Sequence, residues 1–144
     1  MLAIDTNVLV YAHRREASEH AQACGLVREL AEGNSPWAIP WPCVYEFWSV
    51  VTNPRIWKAS ASAPEQAWAQ LAAWMAAPTL RLIGEQAGFT ETLMDFVRRP
   101  RVRGPVVHDA RIAAICVSHG VAKLITRDRD FSIFPELSVE NPFA

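Results

Sequence analysis

Short apolar runs alternate along this chain with longer stretches whose apolar residues recur at helical spacing. The first run, Leu2–Ile4, ends at Asp5 and reads as a strand. Thr6 and Asn7 then offer helix-cap chemistry ahead of Val8, Leu9, Val10 and Tyr11. Ser18 opens a second helix carrying Ala23, Val27, Leu30 and Ala31 on one face, with Gly33 as its stop. A short strand is expected at Trp37–Ile39, and a helix with Pro42 in its first turn runs to Thr52, before Asn53-Pro54. Ser62 and Glu65 have capping-box spacing at the head of a helix bearing Trp68, Leu71, Trp74 and Met75. The spacing further predicts a strand over Thr79–Ile83, a helix over Glu85–Arg98 and a helix over Val106–His119 that Gly120 ends. Val121–Thr126 and Leu137–Glu140 complete the strands, with a loop, Arg127–Pro135, between them. Strands alternating with helices predict one α/β domain over residues 1–144, with a mainly parallel sheet covered on both faces.

Composition narrows the class. With 144 residues, 51% of them hydrophobic, the chain can bury a core without disulfides or metals. No apolar run approaches the ~20 residues of a membrane span, and the carboxylate at Asp5 comes too early for a signal-peptide layout. Cys24, Cys43 and Cys116 form neither a disulfide framework nor a metal clip, which suits a reducing cytoplasm. Net charge is −1, so bulk charge carries no nucleic-acid signature and any phosphate contact must be local. Twelve of the fourteen basic residues are arginines. Arg98, Arg99, Arg101 and Arg103 crowd one Pro- and Gly-broken loop, and Arg127 and Arg129 flank Asp128, as a phosphate-gripping rim or a solvated basic surface would have them.

The acidic residues point to chemistry. In an open α/β sheet, ligands bind beyond the carboxyl ends of the strands. Asp5 and Asp128 follow two strand ends, so they share a crevice if those strands are neighbours; otherwise each is a loop or cap residue. Glu46 sits in an otherwise uncharged helix, between Cys43 and Val50, and must be neutral, paired, cation-bound or on a wet edge. Asp109 lies in a first helical turn, where the macrodipole favours an anion, yet it shares a stripe with Ile112, Ala113 and Cys116. Four carboxylates around one crevice repel unless a counter-charge is present. Mg²⁺ or Mn²⁺ suits oxygen ligands, whereas zinc wants His or Cys. His108 reads as a structural or rim residue. Such an ion polarises a phosphoryl oxygen and activates water. No Gly-rich phosphate loop or GxSxG is present, which leaves metal-assisted phosphoryl chemistry. Most of the six tryptophans suit a core; Trp37, Trp41 and Trp57, near proline breaks, suit an interface.

Four segments in order resemble PIN-domain proteins across nearly the whole chain: Met1-Leu-Ala-Ile-Asp5-Thr6-Asn7, Val44-Tyr-Glu46-Phe47, His108-Asp109-Ala110, and Leu124-Ile-Thr126-Arg-Asp128-Arg-Asp130-Phe131. Tyr11-Ala-His-Arg14 and Val51-Thr-Asn-Pro-Arg55 narrow the resemblance to VapC toxins of bacterial VapBC toxin–antitoxin systems. The resemblance implies a three-layer α/β/α fold and a Mg²⁺- or Mn²⁺-dependent endoribonuclease acting on structured RNA such as tRNA or rRNA. It also implies a homodimer and a VapB-like antitoxin. It makes Asp5, Glu46, Asp109 and Asp128 the acidic site, with Asp5 and Asp109 as direct metal ligands and Asn7, Thr126 and Asp130 in support. Two other readings remain for the residues alone. One is a non-catalytic module that binds RNA or protein. The other is a phosphohydrolase with an aspartyl nucleophile, which would need a second Asp where this chain has Asn7.

Overall fold

The computed structural model describes all residues, Met1–Ala144. Five strands form one sheet: β1 (Leu2–Ile4), β2 (Trp37–Pro40), β3 (Leu80–Ile83), β4 (Lys123–Ile125) and β5 (Ser138–Glu140). Their order is β3-β2-β1-β4-β5 and every pairing is parallel. The chain therefore walks outward from β1 to β3, then jumps back across β1 to β4. That reversal puts the topological switch point between β1 and β4, where a crevice opens at the strand ends. Ala3 stands opposite Leu124 and Ile4 opposite Ile125, so the residues after each strand emerge side by side.

Seven helices fill the crossovers: α1 (Thr6–His13), α2 (His20–Glu32), α3 (Trp41–Val51), α4 (Pro54–Trp57), α5 (Pro64–Met75), α6 (Phe89–Val97) and α7 (Val106–Ser118). The reversal of walking direction assigns α1–α5 to one face and α6–α7 to the other, given right-handed crossovers. Packing agrees. Phe47 of α3 meets His13 of α1 and Trp74 of α5 with ring centroids 5.3 and 5.0 Å apart, and α6 lies on α7. Between the layers lies one cluster of 34 buried apolar residues. The strands Ala3-Ile4 and Trp37–Ile39 are inaccessible on both faces, as a doubly covered parallel sheet requires.

Several helix starts differ from the spacing-based expectation. Asp5 is itself the cap of α1, accepting from Thr6 N at 2.8 Å, so Thr6 and Asn7 lie inside the helix. Aspartate caps as well as serine or asparagine, and β1 ends at Ile4 where its apolar run predicts. α5 begins at Pro64, not after a Ser62–Glu65 box. Gln66 accepts from Ala63 N at 2.8 Å, while the Ser62 hydroxyl is buried against His13 at 2.8 Å. α6 starts at Phe89 after Gly88, whose φ of 91° no L side chain adopts readily. The expected stop at Gly120 holds: at φ 69° it lets Val121 N reach Cys116 O at 2.9 Å, closing α7. Trp37 is wholly buried and Trp68 is 57% exposed, the reverse of an interface role for the one and a core role for the other. No helix is long and apolar enough to cross a membrane.

Candidate active site

Asp5 leaves the end of β1 and Thr126 and Asp128 leave the end of β4, so the switch point brings them together. α3 carries Glu46 to the crevice from one layer, and the first turn of α7 carries Asp109 from the other. Asp5, Asn7, Glu46, Asp109 and Asp128 all line one cleft of about 350 Å³.

The network is ordered by Asp5 and Thr126. Asp5 is only 5% exposed. One of its oxygens, Oδ1, accepts from Thr6 N and, at 3.5 Å, from the Cys43 thiol. The other, Oδ2, accepts from Thr126 Oγ1 at 2.7 Å and Asn7 Nδ2 at 3.3 Å. Thr126 Oγ1 in turn accepts from Asn7 Nδ2 and Asp128 N, both at 3.0 Å. Asn7 Oδ1 accepts from Arg127 N at 3.0 Å. Asn7 and Thr126 thus tie the β1 end to the β4 end and hold Asp128 in place. Asp128 caps the 3-10 turn Arg129–Ile133 by accepting from Asp130 N at 2.8 Å, which brings Asp130 beside it.

The carboxylates of Asp109, Asp128 and Asp130 converge so that one oxygen of each lies within 4.8 Å of the others. Burial raises the pKa of Asp109 to about 7, and the charges of Asp128, Asp5, Asp130 and Glu46 add to it. Burial also raises Asp5 above the ordinary carboxylate range, against the hydrogen bonds that lower it. An all-oxygen donor set whose members repel one another fits a hard divalent cation, which removes the repulsion that the folded chain otherwise carries. His108 is exposed, on the rim. Glu46 is half-buried, with Oε2 accepting from Thr6 Oγ1 at 2.7 Å. That leaves Oε1 with no protein donor.

Thr6 and Cys43 were not singled out by spacing as site residues, yet each donates to a site carboxylate. A sequence signal existed for neither: a threonine after a capping aspartate and a cysteine in an apolar helix look structural. Asp130, expected in support, stands in the tightest acidic group. The Arg98–Arg103 loop does not line the cleft. Arg99 is held by Asp95 at 2.9 Å and by Glu136, and lies over the Phe96 ring. Arg103 donates to the carbonyls of Arg99 and Val102. Arg98 and Arg101 are exposed. Arg127 instead donates to the Oη of Tyr11, a residue that lines the cleft, at 3.0 Å.

Known proteins resemble this chain over nearly its full length. Ribonuclease VapC48 of Mycobacterium tuberculosis is 31% identical over 97% of this chain and 96% of its own length. Ribonuclease VapC43 of the same species is 32% identical over 99% of this chain and 95% of its own. Among solved structures, VapBC2 from Rickettsia felis, bound to a DNA fragment from its promoter, superposes with a TM-score of 0.67 over 97% of both chains at 21% identity. Residues 2–137 match the PIN domain family. The chain belongs to the PIN-domain family, among relatives named VapC ribonucleases.

Proposed function

We propose that this protein is the toxin of a VapBC-type pair and an endoribonuclease that hydrolyses RNA phosphodiester bonds at the β1–β4 switch point. The observation that carries this reading is that four carboxylates line one cleft, with Asp130 beside Asp109 and Asp128, in a chain related over nearly its full length to VapC ribonucleases. Asp109, Asp128 and Asp130, with Asp5 beside them, would hold a divalent ion, Mg²⁺ or Mn²⁺. When bound, such an ion supplies Lewis-acid polarisation of a phosphoryl oxygen and lowers the pKa of water.

The chain's own residues have distinct tasks in this reading. Glu46 and Asp109 reach the site from opposite layers and Asp128 from the sheet end between them, so a held ion is enclosed rather than lying on one helix. Asp5 anchors the acidic group from beneath: four donors orient its carboxylate, and Thr126 ties its position to that of Asp128. Glu46, with Oε1 without a protein donor, is placed to take a proton from an attacking water. The antitoxin partner is proposed on the likeness to VapBC assemblies, and a homodimer on the family resemblance.

The test is cleavage of total cellular RNA by the purified protein with Mg²⁺ or Mn²⁺, against EDTA and against Asp109→Ala, with product 5′ ends sequenced. Discrete metal-dependent ends that vanish in the variant support the reading and name the target. RNA that stays intact under every metal condition while still being bound would replace it with a binding module.

A further inference from the structure

Trp41 and Tyr45 lie one turn apart on α3 and stack with ring centroids 6.1 Å apart and planes at 28°. They are nonetheless 37% and 64% exposed. The stack is braced from below. A Cβ on Gly84, just past β3, would lie 3.3 Å from Trp41 Cδ1, so glycine there lets the indole rest on the backbone. That backbone is tied to the end of α7, where His119 Nε2 meets Gly84 O at 2.8 Å.

Tyr45 forms one wall of a pocket of about 340 Å³, with Pro42, Glu46, His108 and Arg111 as the others. Glu46 is a wall of this pocket and of the acidic cleft, so the two are contiguous. Arg111 donates Nε to Glu85 at 2.6 Å, and its terminal nitrogens have no protein partner. His108 is exposed beside it.

We propose that this pocket is a nucleobase subsite of the ribonuclease. An unpaired base next to the cleaved bond stacks on Tyr45, with Trp41 backing the ring, while Arg111 and His108 hold the adjoining phosphate. A flat π-surface beside a guanidinium is the chemistry that single-stranded nucleic acid recognises. A second copy of the chain is the poorer occupant. The pocket beside the rings is lined by Glu46, His108 and Arg111, whereas the core of a stable protein interface is depleted of charged residues. The proposal rests on the ribonuclease reading.

The test is fluorescence anisotropy with labelled rA12, rU12 and an abasic ribose-phosphate chain of equal length. The proteins are the non-cutting Asp109→Asn protein and the same protein carrying Tyr45→Ala, Tyr45→Phe, Trp41→Ala or Arg111→Gln. Tyr45→Ala should weaken rA12 binding about thirtyfold, the middle of the range for losing one base–aromatic stack. Tyr45→Phe should restore it, and the abasic chain should bind both proteins alike. Arg111→Gln should flatten the plot of log affinity against log salt by about 0.7, one phosphate on a single strand. Equal rA12 binding by the Tyr45→Ala protein overturns the proposal. So does light scattering that finds a dimer split by Tyr45→Ala or Trp41→Ala, which would make this face an interface between copies. Because binding is read without cleavage, a Tyr45-dependent rA12 signal beside a wild type that cuts no RNA would sink the nuclease reading and leave the base subsite standing.

Discussion

Asp109→Asn asks whether the acidic cleft destabilises the metal-free fold. In the unfolded chain Asp109 ionises near 3.8, whereas in the folded protein it does so at about 7. Between those values the folded state holds a proton that the unfolded state has lost. Stability therefore falls as pH rises from about 4 to 7, and the penalty is complete above 7. At 1.36 kcal/mol per pH unit, a dry site would carry roughly 4 kcal/mol. Asp109 is half-buried, so solvent screening brings the expected penalty to about 2 kcal/mol. Asparagine keeps the shape and removes the charge. In EDTA at pH 8 the variant should melt about 6 °C above the wild type, taking about 0.3 kcal/mol per degree for 144 residues. Near pH 4 the two should melt together. Adding Mn²⁺ should raise the wild type and leave the variant nearly unmoved, because binding stabilises only the protein that binds. The assay is a thermal melt followed by circular dichroism across pH 4–8. A variant that melts at or below the wild type in EDTA at pH 8, or a gap that persists unchanged at pH 4, would refute the electrostatic account of this site.

The same structure supports further expectations. Thr126→Val removes the hydroxyl that donates to Asp5 at 2.7 Å and accepts from Asp128 N at 3.0 Å. It should cost about 2 kcal/mol in a urea titration and most of the RNA cleavage, with Thr126→Ser recovering both; an active Thr126→Val protein would dissociate this hydroxyl from the site. Gly120→Ala places a Cβ at φ 69° and should cost about 1–2 kcal/mol by the same titration while leaving RNA cleavage intact. Burial raises Cys116 to about 12 and Cys43 well above the ordinary thiol value, and both are inaccessible. Iodoacetamide at pH 8 should therefore label only Cys24 in the native protein, as read by peptide mass mapping; early labelling of Cys43 would mean that the floor of the cleft opens.

Period and punctuation were sufficient for the alternation of strands and helices, because both signals are local. Val106–Ser118, with its internal stripe and Gly120, and the largely apolar strands at Ile4 and Leu124 needed no tertiary context to be recognised. The acidic residues were legible for a related reason. Charges at Asp5, Glu46 and Asp109 oppose the apolar pattern around them, and a chain tolerates such a conflict where a site repays it. What the pattern could not contain is strand order. Nothing local says that β4 returns to lie beside β1, and only that neighbour relation puts Thr126 against Asp5, 121 residues away in the chain. Side-chain reach was equally hidden. Thr6 looks like a cap until α3 packs against α1 and brings Glu46 to its hydroxyl. Arg99 looks like a free cation until Glu136 arrives from the far end of the chain to hold it. The Tyr45 platform depends on Gly84 lying under Trp41, a contact between two crossovers. Residue type and spacing thus determined which groups carry chemistry and which elements bear them, since those follow from propensity and periodicity. The tertiary structure alone decided which groups meet, since that depends on how distant elements pack.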